Sequence, residues 1–452
     1  MQNKNTTFVF LSALSLFSAF TACKPDQKAP TPVAGSIDAS KYVAIGNSIT
    51  SGFADAALYY DGQMVSYPNL LAQQLKEIGG GEFVQPLMDV NSVGIGSSLN
   101  SRLILGYKTD CKNVSGLAPV NSATLGDVGA FQTSIAAKGP FNNMGVPGAK
   151  ITTAVYPGYG NPANGFGLYN PFFTRMLSPT EYATASMLSK AAEQKPTFFS
   201  VFLGNNDVLG YASNGGAADF LTPSAGTVGI GFDASADYIV QTLTANGAKG
   251  VIGNVPDVTS LPYFTTIPYN GLTLDKTQAA QLTQAYSALG ISFTEGANAF
   301  MIQDASAPGG VRQIKSTELV LLTTPQDSLK CAGWGSSKPL ANKYVLTTSE
   351  ISNIQASVAA FNAKLKSLAE SKGLAYVDVN AFMKSCIKGI SYNGITLSTT
   401  FVSGGAFSLD GIHLTPRGNA MLANEFIKAI NAKYGASIAQ VDVSTYSGVK
   451  FP

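Results

Sequence analysis

Histidine is nearly absent from this chain. One imidazole serves 452 residues, beside one tryptophan, four cysteines and only 12% charged side chains. A metal centre built on several histidines is therefore excluded. The cysteines, Cys23, Cys111, Cys331 and Cys386, are scattered without a C-x-x-C pair, so no structural zinc site is expected. Basic and acidic residues number 29 and 27. That balance gives no reason to expect nucleic acid as a partner. G-x-G-x-x-G, the P-loop, H-E-x-x-H and G-x-S-x-G are all missing, which leaves dinucleotide, nucleotide-phosphate, zincin and nucleophile-elbow chemistry without support. No cofactor and no metal are expected.

The leader has its own character. Lys4 is the only charge before Lys24, and Phe8 to Ala22 is apolar or small. That run is too short to span a bilayer and suits a signal peptide over residues 1–22. Phe20-Thr21-Ala22-Cys23 resembles the end of a bacterial lipoprotein signal, with Cys23 as the lipidated residue. The expected location is the cell envelope, with a lipid anchor as the membrane contact. Residues 23–38, rich in proline and polar side chains, read as a flexible tether. Residues 39–452 then form one domain, expected to be monomeric. In an oxidising compartment one pair among Cys111, Cys331 and Cys386 could form a disulfide and leave one thiol.

Along that domain, buried strands alternate with amphipathic helices. Tyr42–Ile45 is a short apolar run ending in Gly46-Asn47-Ser48. Helical spacing follows over 68–78, and the stretch 82–138 has little period and reads as an insertion. Helices are expected over 180–194, 232–246, 274–289 and 349–371, and strands over 197–203, 250–255 and 374–379. Residues 303–347 read as a second insertion. The aromatic stretch 156–173 is either a packed loop or a substrate-facing wall. Such alternation, with crossovers long enough for parallel pairing, gives an α/β class in three layers around one sheet.

The single histidine stands in Asp410-Gly411-Ile412-His413, just before a helix announced by Thr415 and Pro416. Imidazole is the side chain that exchanges protons near neutral pH. A carboxylate three residues away can hold one ring nitrogen and leave the other as a base, and such a base usually serves a nucleophile. Ser48, in the turn after the first strand, is the candidate. Asn143 to Gly148 and Gly204-Asn205-Asn206-Asp207 supply further turns rich in small and amide residues.

Taken in order, Gly46-Asn47-Ser48, Asn143 to Gly148, Gly204-Asn205-Asn206-Asp207 and Asp410-Gly411-Ile412-His413 resemble the SGNH, or GDSL-type, hydrolase superfamily. Asn47 and Ile49 depart from the GDSL signature without touching the serine. The resemblance implies a three-layer α/β/α sandwich with a flavodoxin-like, mostly parallel sheet, and hydrolysis of carboxylic esters. It implies Ser48 as nucleophile, His413 as general base and Asp410 as the group that orients it. The oxyanion hole would be the Ser48 and Gly148 backbone N–H groups and the Asn206 amide. Asp207 and Asn143 read as supports of their turns. The substrate would be a small-molecule, lipid or acylated-glycan ester. The rival reading is a surface binding protein on the same fold without turnover.

Overall fold

The alternating pattern resolves, in a computed structural model that describes residues 31–165 and 167–452, into one central sheet. Its strands are β1 (Tyr42–Gly46), β2 (Asn143–Gly145), β3 (Phe198–Phe202), β4 (Lys249–Gly253) and β5 (Ala375–Val377). They run in the order β5-β4-β3-β1-β2, and every pairing is parallel. This is the flavodoxin-like order, in which the direction of winding reverses between β1 and β3. β1 and β3 are buried along their whole length, which is why their sequences are continuous apolar runs rather than alternating ones.

The main helices are α1 (Tyr67–Lys76), α2 (Met187–Ala192), α3 (Asn206–Ser213), α4 (Phe232–Thr244), α5 (Lys276–Ala285), α6 (Thr348–Ser371), α7 (Val379–Lys388) and α8 (Pro416–Tyr434). α1 packs on α8 on one side of the sheet; α2, α4 and α6 pack together on the other. Tyr67 of α1 stacks on Phe426 of α8 with ring centroids 4.6 Å apart, and Phe232 stacks on Phe361 between α4 and α6 at 3.8 Å. Burying rings of this size contributes about 2–3 kcal/mol each. α8 begins where its sequence says it should: the Thr415 hydroxyl accepts from the Gly418 N–H at 3.1 Å, and Pro416 occupies the first position.

Several expectations shift. The helix expected over 180–194 is regular only in α2, because Ser186 and Ser189 cap a fresh start there. The strand expected over 374–379 ends at Val377, since the Asp378 carboxylate accepts from the Ala381 N–H and starts α7. The insertion at 82–138 holds an antiparallel hairpin, Leu103–Thr109 with Ser115–Asn121. The second excursion begins well before residue 303. Ile267, Leu272, Phe293, Phe300 and Leu340 form a small core of their own, and α5 belongs to it rather than to the sheet layers. The tether expected to reach residue 38 is shorter at its carboxyl end. Ile37 is buried, the Ser36 N–H donates to the Tyr434 carbonyl, and the compact unit starts at Pro32. The expected leader and Cys23 lie outside the described residues.

The two excursions are joined to each other. Cys111 at the hairpin tip bonds to Cys331, 220 positions later, and Cys386 stays free and buried. Lys108–Asp327 and Lys330–Asp110 bridge the same seam. Exposed pairs of this kind are worth little, so the disulfide is the main tie.

Candidate active site

The carboxyl ends of β1, β2 and β3 converge where the winding reverses. Ser48 follows β1 and opens a single helical turn, Ser48–Ser51, whose first exposed amide, Ile49 N–H, is taken by the Asn47 side chain at 3.1 Å. Gly148 follows β2, and Asn205 and Asn206 follow β3. The 408–415 loop comes in from the far end of the chain ahead of α8.

Three side chains meet in a line. His413 Nε2 lies 2.8 Å from Ser48 Oγ, and His413 Nδ1 lies 2.8 Å from Asp410 Oδ2. Ser48 and His413 are 7% and 9% exposed, enough to reach solvent through one face and too little to be hydrated freely. The Phe53 ring sits 4.8 Å from the imidazole and limits its tilt.

Asp410 is held by more than its histidine. Oδ1 accepts from the backbone N–H groups of Ile412 and His413 at 2.8 Å and from the Ser408 hydroxyl at 3.1 Å. Oδ2 accepts from the Ala56 N–H at 2.8 Å as well as from the imidazole. Burial works against the charge, but His413 and the surrounding N–H donors outweigh it and hold the carboxyl below the usual carboxylate range. A depressed value of this sign stabilises the fold above the ordinary carboxylate pKa and is lost only as pH falls into strong acid.

Two of the three candidate oxyanion donors, Ser48 and Asn206, line one small pocket with His413, and Gly148 precedes the Ala149 carbonyl that Asn206 reaches. The N–H groups of Ser48 and Gly148 have no acceptor among the described residues. Gly148 has φ +81°, a conformation that any side chain would strain. The Asn206 amide donates to the Ala149 carbonyl at 2.9 Å, which orients it and leaves its second hydrogen available. Asn170, which the sequence did not single out, props this turn by donating to the Pro147 carbonyl at 2.8 Å and the Tyr159 hydroxyl at 2.9 Å. Tyr159, Phe172 and Phe173 are buried, so their part of the 156–173 stretch is a packed loop rather than a wall.

Asn143 and Asp207 tie the turns together. Asn143 donates to the Thr50 carbonyl and accepts from the Gly145 N–H; Asp207 Oδ2 accepts from the Ile151 N–H. Burial pushes the Asp207 carboxyl up to about 6, against the pull of that N–H and of nearby Lys150. A raised value means the folded state binds the proton more tightly. The stability it adds is complete below the ordinary value of 3.8 and is lost as pH rises through about 6. Asp207→Asn, which cannot ionise, should therefore gain on wild type above pH 7 by up to about 3 kcal/mol and match it near pH 4. Thermal unfolding of both proteins at pH 4.5 and 8 checks this; a gap that does not widen with pH contradicts it.

A cavity of about 1070 Å³ opens beside the imidazole. Phe53, Asp410, Ile412 and His413 line it, the hairpin contributes Leu103 and Pro119, and the second excursion contributes Ile267 and Phe300. Its volume is just above the range that small-molecule sites use.

None of the curated proteins matches this chain. Among solved structures it is similar to a protein described as a GDSL-like lipase from Parabacteroides merdae, at 12% identity and TM-score 0.32, over 88% of this chain and 99% of that one. It is also similar to a gut microbial diltiazem-metabolizing enzyme, at 12% identity and TM-score 0.27, over 87% of this chain and 47% of that one. The family described as GDSL-like Lipase/Acylhydrolase matches residues 42–426, from the first residue of β1 into α8. That span takes in Ser48, Gly148, Asn206, Asp410 and His413, and this chain belongs to the GDSL-like lipase/acylhydrolase family.

Proposed function

We propose that this family member is an envelope-anchored serine ester hydrolase working through an acyl-enzyme. The observation that carries the reading is the unbroken Ser48–His413–Asp410 chain, with 2.8 Å at both links, two of whose members, Asp410 and His413, line a large cavity. Ser48 Oγ attacks the ester carbonyl as His413 Nε2 takes its proton. The carbonyl oxygen gains charge and is received by the Ser48 and Gly148 N–H groups and the Asn206 amide, donors already in place before the reaction. Collapse breaks the ester bond, and the departing alkoxide takes the proton back from His413. A water then repeats the cycle on the acyl-enzyme, with His413 again as base.

The lining of the cavity favours an ester with a bulky apolar group, of lipid type, over a small acetylated sugar. The test is a p-nitrophenyl ester series from acetate to decanoate, run beside acetylated sugars on the purified protein. Turnover that improves with chain length supports the lipid type; preference for acetylated sugars reverses the substrate assignment; no turnover at all supports the binding-protein alternative.

Anchoring rests on Phe20-Thr21-Ala22-Cys23. Cys23→Ser should move the protein from the membrane to the soluble fraction. Unchanged fractionation and processing would remove the anchor from this proposal.

A further inference from the structure

Behind Asp410 lies a second acid that this mechanism does not use. Asp55 is half-buried beneath the 408–410 loop, and both of its carboxylate oxygens are engaged. Oδ1 accepts from the Leu409 N–H at 3.0 Å, and Oδ2 accepts from the Tyr59 hydroxyl at 2.8 Å. Its own N–H donates to Ser408 Oγ at 3.0 Å, and that hydroxyl in turn donates to Asp410. The next residue, Ala56, donates its N–H to Asp410 Oδ2, the same oxygen that receives His413.

The backbone here is unusual. Asp55 and Ala56 have φ of +51° and +61°, two consecutive left-handed residues, neither of them glycine. Such a pair persists only where surroundings over-determine it, and it concentrates at sites where the geometry is used. Left-handed backbone at both positions turns two successive N–H groups toward one loop. The carbonyls on the other side are also held: Leu103 N–H donates to the Asp55 carbonyl at 2.8 Å, and the Asn100 amide donates to that of Ala56 at 3.0 Å. The strained turn thus joins the base of the first excursion to the carboxylate that holds the imidazole.

We infer that Asp55 is a positioning residue for ester hydrolysis: its carboxylate fastens Leu409 and fixes the strained turn that delivers the Ala56 N–H to Asp410. The inference rests on the proposed Ser48–His413–Asp410 mechanism. Asp55 touches neither substrate nor serine and acts only through Asp410. Removing it frees the 408–410 loop to drift, and small misplacements of a catalytic group lower the rate of the chemical step more than binding.

Asp55→Ala should lower kcat by roughly 10- to 100-fold and leave KM within about threefold. Asp55→Asn keeps an oxygen for Leu409 and an amide for the Tyr59 oxygen, so it should recover most of the rate. A second readout is independent of turnover. His413 is the only histidine, so untagged protein labelled with [15N]histidine gives one set of ring signals. Wild type should show a slowly exchanging, far-downfield Nδ1 proton; Asp55→Ala should broaden it and move it upfield, and Asp55→Asn should restore it. A folded Asp55→Ala protein with wild-type kcat and an unchanged ring signal overturns the inference. If Asp55→Ala does not fold, Tyr59→Phe decides: a kcat loss of about threefold or more at constant KM supports it, and unchanged kcat with an unchanged ring signal overturns it. Ser48→Ala, assayed alongside, separates the two levels. If that protein still turns over every ester, the serine mechanism fails and this inference falls with it.

Discussion

Ser48→Ala and His413→Ala should each abolish ester hydrolysis almost completely, with losses of roughly 10⁴- to 10⁶-fold in kcat and little change in the folded fraction. Without Oγ there is nothing to acylate. Without the imidazole the hydroxyl keeps its proton, and no second histidine exists to replace it. The double variant should be hardly worse than either single one, because the two groups act on the same proton in the same step. A serine-directed organophosphonate should label wild type once, at Ser48, and leave Ser48→Ala unlabelled. Correctly folded Ser48→Ala with wild-type turnover would falsify the acyl-enzyme mechanism.

Asp410→Asn should cost roughly 10⁴-fold in kcat. The reason lies in the number of donors aimed at this carboxylate. Three converge on Oδ1 and two on Oδ2. An amide has one accepting end, so either orientation sets its NH₂ against donors already in place. If it faces His413, the imidazole must move its proton to Nε2, and Ser48 loses its base. If it faces Ile412 and His413 N–H, the loop itself must open. Unpaired buried groups of this kind cost about 1–3 kcal/mol each, so some loss of thermal stability should accompany the loss of rate. Kinetics on material shown to be folded by circular dichroism distinguishes the two effects. A variant with near-wild-type kcat would mean that the carboxylate charge is not needed.

Much of the candidate site was legible because its residues are rare types or stand in short turns. His413 could be found by count alone, and Asp410 by its spacing from it. Ser48 and Asn206 stand where apolar runs break, which is where parallel strands end, and Gly148 stands in a turn rich in small and amide residues. The strands themselves were legible for the same reason: burial on both faces removes polar residues from β1 and β3.

What was missed has physical causes. β2 spans only Asn143–Gly145, and three residues with no apolar run give no periodic signal. α7 hides behind β5 because Asp378 can read as either a strand end or a cap. The hairpin Ile390–Tyr392 with Ile395–Leu397 carried a signal in Asn393-Gly394, whose φ values of +47° and +79° suit a two-residue turn, and it was passed over. The Asp55–Ala56 turn had no signal at all, because nothing in those two residue types announces left-handed backbone. The second excursion was placed too late in the chain because α5 has the composition of a crossover helix. Only its packing on Leu272–Leu274 in the small core, rather than on the sheet, tells them apart.

The bond between Cys111 and Cys331 closes a ring of chain around three of the five sheet strands. On a chain-entropy view, a loop of 220 residues removes enough freedom from the unfolded ensemble to favour the native state by roughly 5 kcal/mol. The third thiol matters to how that ring is reached. In the folded protein Cys386 is buried and its thiol is pushed up to about 12, so almost none of it is thiolate and it has no path to attack the finished bond. Before α7 docks no such protection exists, and Cys386 can compete with Cys111 and Cys331 for a partner. Once α7 docks and Cys386 is buried, the native bond is sealed against exchange with that thiol.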